Sequence, residues 1–530
     1  MTIYESVNLA RHTEPQLAPA TSVARHSPTK SLRVALISEG SYPFHPGGVS
    51  MWCHQLIEGM PEHSFTVVAL TVDGTESSTW ATLDNLTKVV NIPLWGARPR
   101  RSDHRRPPPP SFAEIHYAFL RAMIGQQEPQ GGYTLGTGGV FFSALRGMFE
   151  YAQTRDLGAA LARDDAVDRL QRVWHEKGTS GRVGMLTLHD ALVATDRIEH
   201  MLRPLSHPPV MADVCHLAMN GISALVAMAS KWSYNAPMVM SEHGVYLRER
   251  YLGLTKETVS HPVKVIMMGF CRALASAAYI NSDILTPHSS YNRRWQLYTG
   301  AEPHRIQTMY NGIDPADFPI AHGEPDCPTI VFVGRIDPLK DLHTLIRAFA
   351  IVREKIPNAR LRMFGPVTTE NVGYHASCVQ LVEELGLSDS AAFEGRVPKQ
   401  VDAYGAGHLV ALTSVSEGFP YTVVESMSTG RPQVCTNVGG VSEAVGDAGF
   451  VVPPRDHAAV AEACIRLLND AELRSRLGLL ARQRVLDKFT LNQWTGAYLD
   501  IYHELGSGKR RDLVNMTTDG ATPHEPRVAS

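Results

Sequence analysis

Residues 32–60 read "LRVALISEGSYPFHPGGVSMWCHQLIEGM". The first nine, Leu32–Gly40, are an apolar run that ends in glycine. Such a run suits a strand buried on both faces of a parallel sheet. "SYPFHPGGVS" follows and is rich in Pro and Gly, which marks a loop. Trp52, Leu56 and Met60 then recur at helical spacing on one face. A second apolar run, "SFTVVALTV" at 64–72, closes the unit. Strand, glycine-bearing loop, helix and strand open a doubly wound α/β domain.

That rhythm breaks after the second strand. "RPRRSDHRRPPPP" at 98–110 is basic and Pro-rich and reads as an exposed loop. The stretch 111–205 reads as mainly helical, so 95–210 is expected to be an insertion in the first domain. The α/β alternation resumes with "ADVCHLAMNG", an apolar helix at 221–232 and the strand "PMVMSEHG". A helix at 262–280, the strand "SDILTPHSS" and "RIQTMYNGID" complete this half. The second half is more regular: "TIVFVGR", "ARLRMFGP", "AAFEGR", "HLVALTS" and "PQVCTN" are strands with helical segments between them. This spacing implies parallel strands joined by right-handed crossovers. Two doubly wound domains in tandem are expected, the first at 31–310 and the second at 311–490. Segments 1–30 and 507–530 are expected to be disordered.

The chain has 530 residues, enough for several domains, and a formal net charge of -3. That balance supplies no overall attraction to nucleic acid or to an anionic membrane. Seven cysteines are widely spaced without a Cys-x-x-Cys pair, which points to reduced thiols rather than a disulfide framework or a zinc site. Residues 1–30 lack the apolar centre of a signal peptide, and no uninterrupted apolar run reaches the roughly 18–20 residues of a membrane span. A cytoplasmic protein is expected. The basic run 98–106 has two readings: contact with anionic headgroups or a membrane partner, or a solvated loop.

Ligands of open α/β sheets sit in the crevice beyond the carboxyl ends of the strands, so residues just after each strand carry the functional signal. Arg335 ends "TIVFVGR" and Lys340 follows at a helix start, a pair suited to a diphosphate. The competing reading pairs Arg335 with a neighbouring acid and leaves Lys340 solvated. "SEGFPYTVVESM" at 416–427 places Glu417 after a strand and Glu425 inside the next helix. Gly418 permits close approach of a ligand, and Pro420 suits the first helical turn. Glu425 lies about 7.5 Å further along the axis, among apolar neighbours. Either acid could cap or lie on the surface, or accept two hydrogen bonds from a sugar diol. Gly47 and Gly48 follow the first strand, as a tight turn or as a backbone cradle for phosphate or sugar. His243, at a strand end, could orient a hydroxyl or exchange a proton near neutral pH, or be structural. His216 and His189 are weaker candidates. There is no Asp-x-Asp pair and no GxGxxG in the first loop, so a diphosphate would be met by protein cations and helix N-termini.

Glu417-x7-Glu425, "VGRIDPLKD", "NGID" and "STGRPQVCTNVGGVSEAV" together resemble retaining glycosyltransferases of family 4, across roughly 311–490. "EGSYPFHPGGVSMWCHQLI" and "SEHGVYLRERYL" are similar to the PelF-type branch, which carries a helical insertion in its first domain. The resemblance implies a GT-B fold, with two Rossmann-like domains facing a central cleft. It implies a nucleotide-sugar donor, a UDP-hexose such as UDP-glucose, and a saccharide or glycoconjugate acceptor, with no metal and no cofactor. It assigns Arg335 and Lys340 to the diphosphate and Glu425 to the ribose. Glu417, with the backbone of Gly418, Phe419, Tyr421 and Thr422, would hold the donor. Gly47 and Gly48 would touch the phosphate or acceptor side, and His243 would face the donor sugar from the first domain. Ser426 stands where relatives usually carry Ala. The segment 491–506 is expected to cross back to the first domain. A sugar phosphorylase or epimerase on the same fold, or a non-catalytic nucleotide-sugar-binding subunit, are the alternatives.

Overall fold

The computed structural model describes residues 31–96, 106–124, 135–177 and 180–507. The expectations for segment 1–30, for nearly all of the basic run 98–106 and for the tail beyond Ser507 lie outside the described residues. The described residues from Leu32 to Ser507 form one compact unit.

Two six-stranded sheets organise it. The first contains β1 (Arg33–Glu39), β2 (Ser64–Thr71), β3 (Leu86–Pro93), β4 (Val214–Leu217), β5 (Met238–Glu242) and β6 (Ile284–Pro287). The second contains β7 (Thr329–Val333), β8 (Arg360–Phe364), β9 (Ala391–Gly395), β10 (Leu409–Leu412), β11 (Gln433–Thr436) and β12 (Gly449–Val452). Their orders are β3-β2-β1-β4-β5-β6 and β9-β8-β7-β10-β11-β12, so both halves repeat one winding pattern. Every named pair is parallel. In each sheet the winding reverses beside its first strand, which puts a crevice between β1 and β4 and another between β7 and β10.

Two strands escape the sequence reading. β3 is an edge strand with polar and half-exposed positions, so it lacks the apolar run that marks its neighbours. β12 is four residues long and half-buried throughout.

The expected insertion is helical. Helices Pro110–Met123, Leu135–Thr154, Leu157–Leu161, Asp164–Glu176, Ser180–Val183 and Leu188–Leu202 stand between β3 and β4. With the helix His261–Asn281 they share a core with Ala35, Ile37, Val68 and Leu70 on one face of the first sheet. This role explains His261–Asn281, which is long and apolar enough to span a membrane, yet has 61% of its most apolar window buried inside the protein. The opposite face, with Val34, Leu36, Phe65 and Val67, packs against the helix Gly48–Glu58 and against Trp494, Tyr498, Ile501 and Tyr502. Those four lie on the helix Leu491–Gly506, the last described helix, which packs on this face of the first sheet. The outgoing and returning strands of chain meet at Ile313, whose amide donates to Phe489 and whose carbonyl accepts from Leu491.

Candidate active site

The second-sheet crevice collects the predicted charges. After β7 the chain turns through Gly334 and Arg335, then forms a short 3-10 turn, Pro338–Lys340. Asp341, in the left-handed region with φ 46°, caps the helix Leu342–Lys355. After β10, Thr413 donates through its hydroxyl to the carbonyls of Lys340 (3.1 Å) and Asp341 (3.0 Å). The Val415 amide donates to the Leu339 carbonyl at 2.8 Å. These bonds lash the two loops of the crevice together. They bring Lys340 Nζ within 2.6 Å of Glu417 Oε1, which also accepts from the Ser414 hydroxyl at 2.5 Å.

Lys340 and Glu417 were expected to act on different parts of a ligand; here they are an ion pair, with side chains 18% and 10% exposed. Arg335 is the loose cation. Its side chain is 64% exposed and its nearest carboxylate, Asp337, is 3.9 Å away. Pro420 is the cap of the helix Tyr421–Ser428 rather than a member of its first turn.

Two glycines shape the loop between the acids. A β-carbon on Gly439 would stand 1.7 Å from the Glu417 carbonyl oxygen, and Gly439 has φ +55°. The amide of Gly440 donates to the Gly418 carbonyl at 2.8 Å. Gly418 in turn touches the first domain: a β-carbon there would lie 2.0 Å from the His243 carbonyl oxygen. Two side-chain bridges run beside this contact. The Arg248 guanidinium donates to the Ser416 hydroxyl at 2.7 Å, and Glu443 accepts from the Ser290 amide (2.9 Å) and hydroxyl (2.6 Å).

From the first domain, the helix Gly48–Glu58 points its N-terminus at the same place. Gly47 is its cap and faces open space, while Gly48 lies against the Tyr421 ring of the second domain. The helix start has no side-chain cap, so its amides are available to an anion. His243 follows β5 and packs edge-on against Trp52 (5.0 Å between centroids) and beside His288 (4.1 Å). Burial, followed by the neighbouring His288 and His216, holds its pKa well below the ordinary histidine value. The expectation of proton exchange near neutral pH is therefore corrected. His243 is a neutral imidazole, with a solvent-inaccessible Nε2 that has no hydrogen-bond partner.

Other expectations are also redirected. Phe419 is 5% exposed and its ring packs on Tyr310 and Phe489, so only its backbone reaches the loop. Its carbonyl accepts from Asn311 of the "NGID" segment at 3.1 Å. Tyr421 and Thr422 are half-buried at the helix start. His216 is fully buried between the Tyr502 hydroxyl (2.5 Å) and the Ser241 hydroxyl (2.7 Å), a tie to the crossing helix. His189 is exposed on the insertion. The sequence reading passed over Arg248 and Glu443 as cleft residues. Both lie inside stretches already singled out, "SEHGVYLRERYL" and "NVGGVSEAV", but their partners lie in the other domain, more than 150 positions away.

Glu425 is 2% exposed and accepts from the Tyr404 hydroxyl at 2.5 Å. Burial pushes its carboxyl from 4.5 up to about 7, with the Tyr404 bond opposing. The folded chain thus holds a proton here that the unfolded chain releases near its ordinary value. The stability from this group is full below about pH 4.5, falls as pH rises through about 7, and is flat above. Glu425→Gln is expected to remove this slope. Its melting temperature relative to the parent should therefore climb between pH 5 and pH 7.5. A constant difference across that range, measured by scanning calorimetry, would show an ionised Glu425 instead.

Comparison with known proteins agrees with this layout. Residues 32–304 match the family model described as "Domain of unknown function (DUF3492)", and residues 316–484 match "Glycosyl transferases group 1". A D-inositol 3-phosphate glycosyltransferase from Saccharomonospora viridis is 28% identical over 303 residues, 53% of this chain and 68% of its own length. The chain spans 68% of that relative, 44% of a D-inositol 3-phosphate glycosyltransferase from Nocardia farcinica and 60% of an N-acetyl-alpha-D-glucosaminyl L-malate synthase from Bacillus anthracis. Among solved structures, sucrose-phosphate synthase from Thermosynechococcus elongatus shares the fold at a TM-score of 0.58 and 17% identity, covering 90% of this chain and 100% of that one. Anabaena HepE in complex with UDP and glucose gives 0.56 and 15%, covering 88% and 98%. The two-domain GT-B architecture is thereby established.

Proposed function

We propose that this chain, which belongs to the DUF3492 family and is a glycosyltransferase with a group 1 domain, moves a hexose from a nucleotide sugar to a saccharide or glycoconjugate acceptor with retention of configuration. The donor is UDP-glucose or another UDP-hexose, and the setting is exopolysaccharide or cell-envelope glycan synthesis in the cytoplasm. The observation that carries the reading is the Lys340–Glu417 pair at the β7–β10 crevice, on the loop that leads to Tyr421, whose ring lies against Gly48 at the uncapped helix start of the first domain. Cations on one wall and helix-start amides on the other suit a diphosphate, and Glu417 beside them suits a sugar hydroxyl. HepE, of the same fold, binds UDP and glucose.

In this reading Lys340 and Arg335 stabilise the charge that grows on the diphosphate as the anomeric carbon–oxygen bond breaks. The acceptor hydroxyl attacks on the face the diphosphate leaves, through an oxocarbenium-like ion pair. Its proton passes to the departing phosphate oxygen. Neutral His243 faces the sugar from the first domain, and Glu425 takes the ribose. Charge on the diphosphate is met by protein groups without a metal.

The test is a screen of UDP-hexoses and GDP-mannose by thermal shift, followed by UDP release. A UDP-hexose is expected to raise the melting temperature and to release UDP, undiminished by excess EDTA. Dependence on inorganic phosphate would indicate a phosphorylase. Interconversion of hexoses without UDP release would indicate an epimerase. Loss in EDTA with rescue by Mg²⁺ would overturn the metal-free reading.

A further inference from the structure

The amino-terminal edge of the first sheet, away from the cleft, carries a second cluster. Glu62 and His63 lie in the turn between the helix Gly48–Glu58 and β2, and His503 lies in the last turn of the helix Leu491–Gly506. One ligand atom of each falls within 4.8 Å of the other two. His63 is 1% exposed, and the Glu62 backbone approaches its ring without either ring nitrogen closing a hydrogen bond of ordinary geometry. His503 Nε2 is likewise inaccessible and without a partner. The two rings meet edge-on, 5.1 Å between centroids at 81°.

A buried polar atom without a partner is costly, and two imidazoles in one spot are not a chance expense that packing explains. Nothing in the glycosyl-transfer site uses these residues, which lie at the opposite ends of the strands from Gly47 and Glu417. We propose that Glu62, His63 and His503 bind one divalent transition-metal ion of the zinc class, latching the end of the crossing helix to the first domain.

The donor set selects that class. Imidazole nitrogen with one carboxylate oxygen suits zinc and its neighbours, whereas calcium and magnesium take mainly oxygen ligands. Bonds of about 2.0–2.2 Å require ligand atoms roughly 3.5 Å apart, closer than the present spacing. Exposed Glu62 and half-buried His503 can turn inward, while His63 is held by its packing. The helix so latched carries Leu491, the point where the chain returns from the second domain. The ion would thus anchor the helix that returns the chain from the second domain to the first sheet.

Full-length protein stripped with chelator and titrated with Zn²⁺ provides the test, alongside His503→Gln and the double variant Glu62→Gln/His503→Gln. The parent is expected to retain one more equivalent of zinc after desalting than either variant. Its melting temperature should rise by about 2–5 °C with zinc, a rise the variants lack. Co²⁺ should give the parent alone a visible absorption band. His503 is half-buried on a helix surface, so its variant is expected to fold where a His63 substitution would put folding at risk. Equal zinc content and equal thermal shift in parent and variants would overturn the proposal, as would no retained metal in the parent.

Discussion

Lys340→Ala is expected to lower turnover of the donor by about 10²–10³-fold while the fold is kept, as removal of a preorganised charge from a reacting phosphate does elsewhere. Lys340 Nζ stands 2.6 Å from Glu417 Oε1 in a site only 18% and 10% exposed. Removing the amine does two things at once. It takes away the cation that the proposed reading places against the diphosphate. It also leaves the Glu417 carboxylate held by the Ser414 hydroxyl alone, adding negative potential to the same place. A second variant separates these effects. If Lys340 served only to neutralise Glu417, the double variant Lys340→Ala/Glu417→Ala would recover activity. The diphosphate role predicts no recovery, and a double variant at least as poor as Lys340→Ala. Arg335→Ala should cost less, because its side chain is 64% exposed and solvent screens it until the cleft closes. Turnover of Lys340→Ala within threefold of the parent, with UDP release as the readout, would sink the assignment.

Much of this site was legible because β-strands of a doubly wound sheet announce their own ends. Arg335, Lys340 and Glu417 each follow an apolar run, and the winding order places two of those runs, β7 and β10, beside one another at the reversal. Glu425 was correctly suspected of burial from its apolar neighbours, though its Tyr404 partner lies 21 residues back on a separate helix. Three things were hidden. The Lys340–Glu417 contact depends on the Thr413 and Val415 bonds that draw two loops together, and no spacing encodes them. The neutrality of His243 depends on Trp52, His288 and His216, brought in from three other elements. The strand β3 was missed because an edge strand with one solvated side carries no apolar signature. The helical insertion was visible as a break in rhythm, but that it shares one core with Ala35 and Ile37 of the first sheet follows only from packing.

Gly418→Ala should act on the seam between the domains rather than on either domain. Gly418 is not in the left-handed region, so alanine brings no backbone strain of its own. The obstacle is space: its β-carbon would meet the His243 carbonyl at 2.0 Å, backbone against backbone, where no side chain can swing aside. The second-domain loop must then back away from the first domain. The Arg248–Ser416 bridge at 2.7 Å spans the same gap two residues earlier and would be stretched with it. The second-domain groups proposed to bind the donor keep their geometry, but the wall that carries His243, Gly47 and Gly48 is displaced. A misplacement of about 1 Å can cost about 10²-fold in rate. The expected result is therefore a drop of about that size in kcat, with UDP affinity within about threefold of the parent and little change in melting temperature. Gly439→Ala provides the contrast. Its φ of +55° and its 1.7 Å approach to the Glu417 carbonyl lie wholly within the second domain. That change should therefore weaken UDP binding and stability together. If Gly418→Ala instead loses UDP affinity and stability as Gly439→Ala does, the loop is a within-domain element. The contact with His243 would then carry no part of the reaction. If kcat is unchanged, the cleft does its chemistry without the contact between Gly418 and His243.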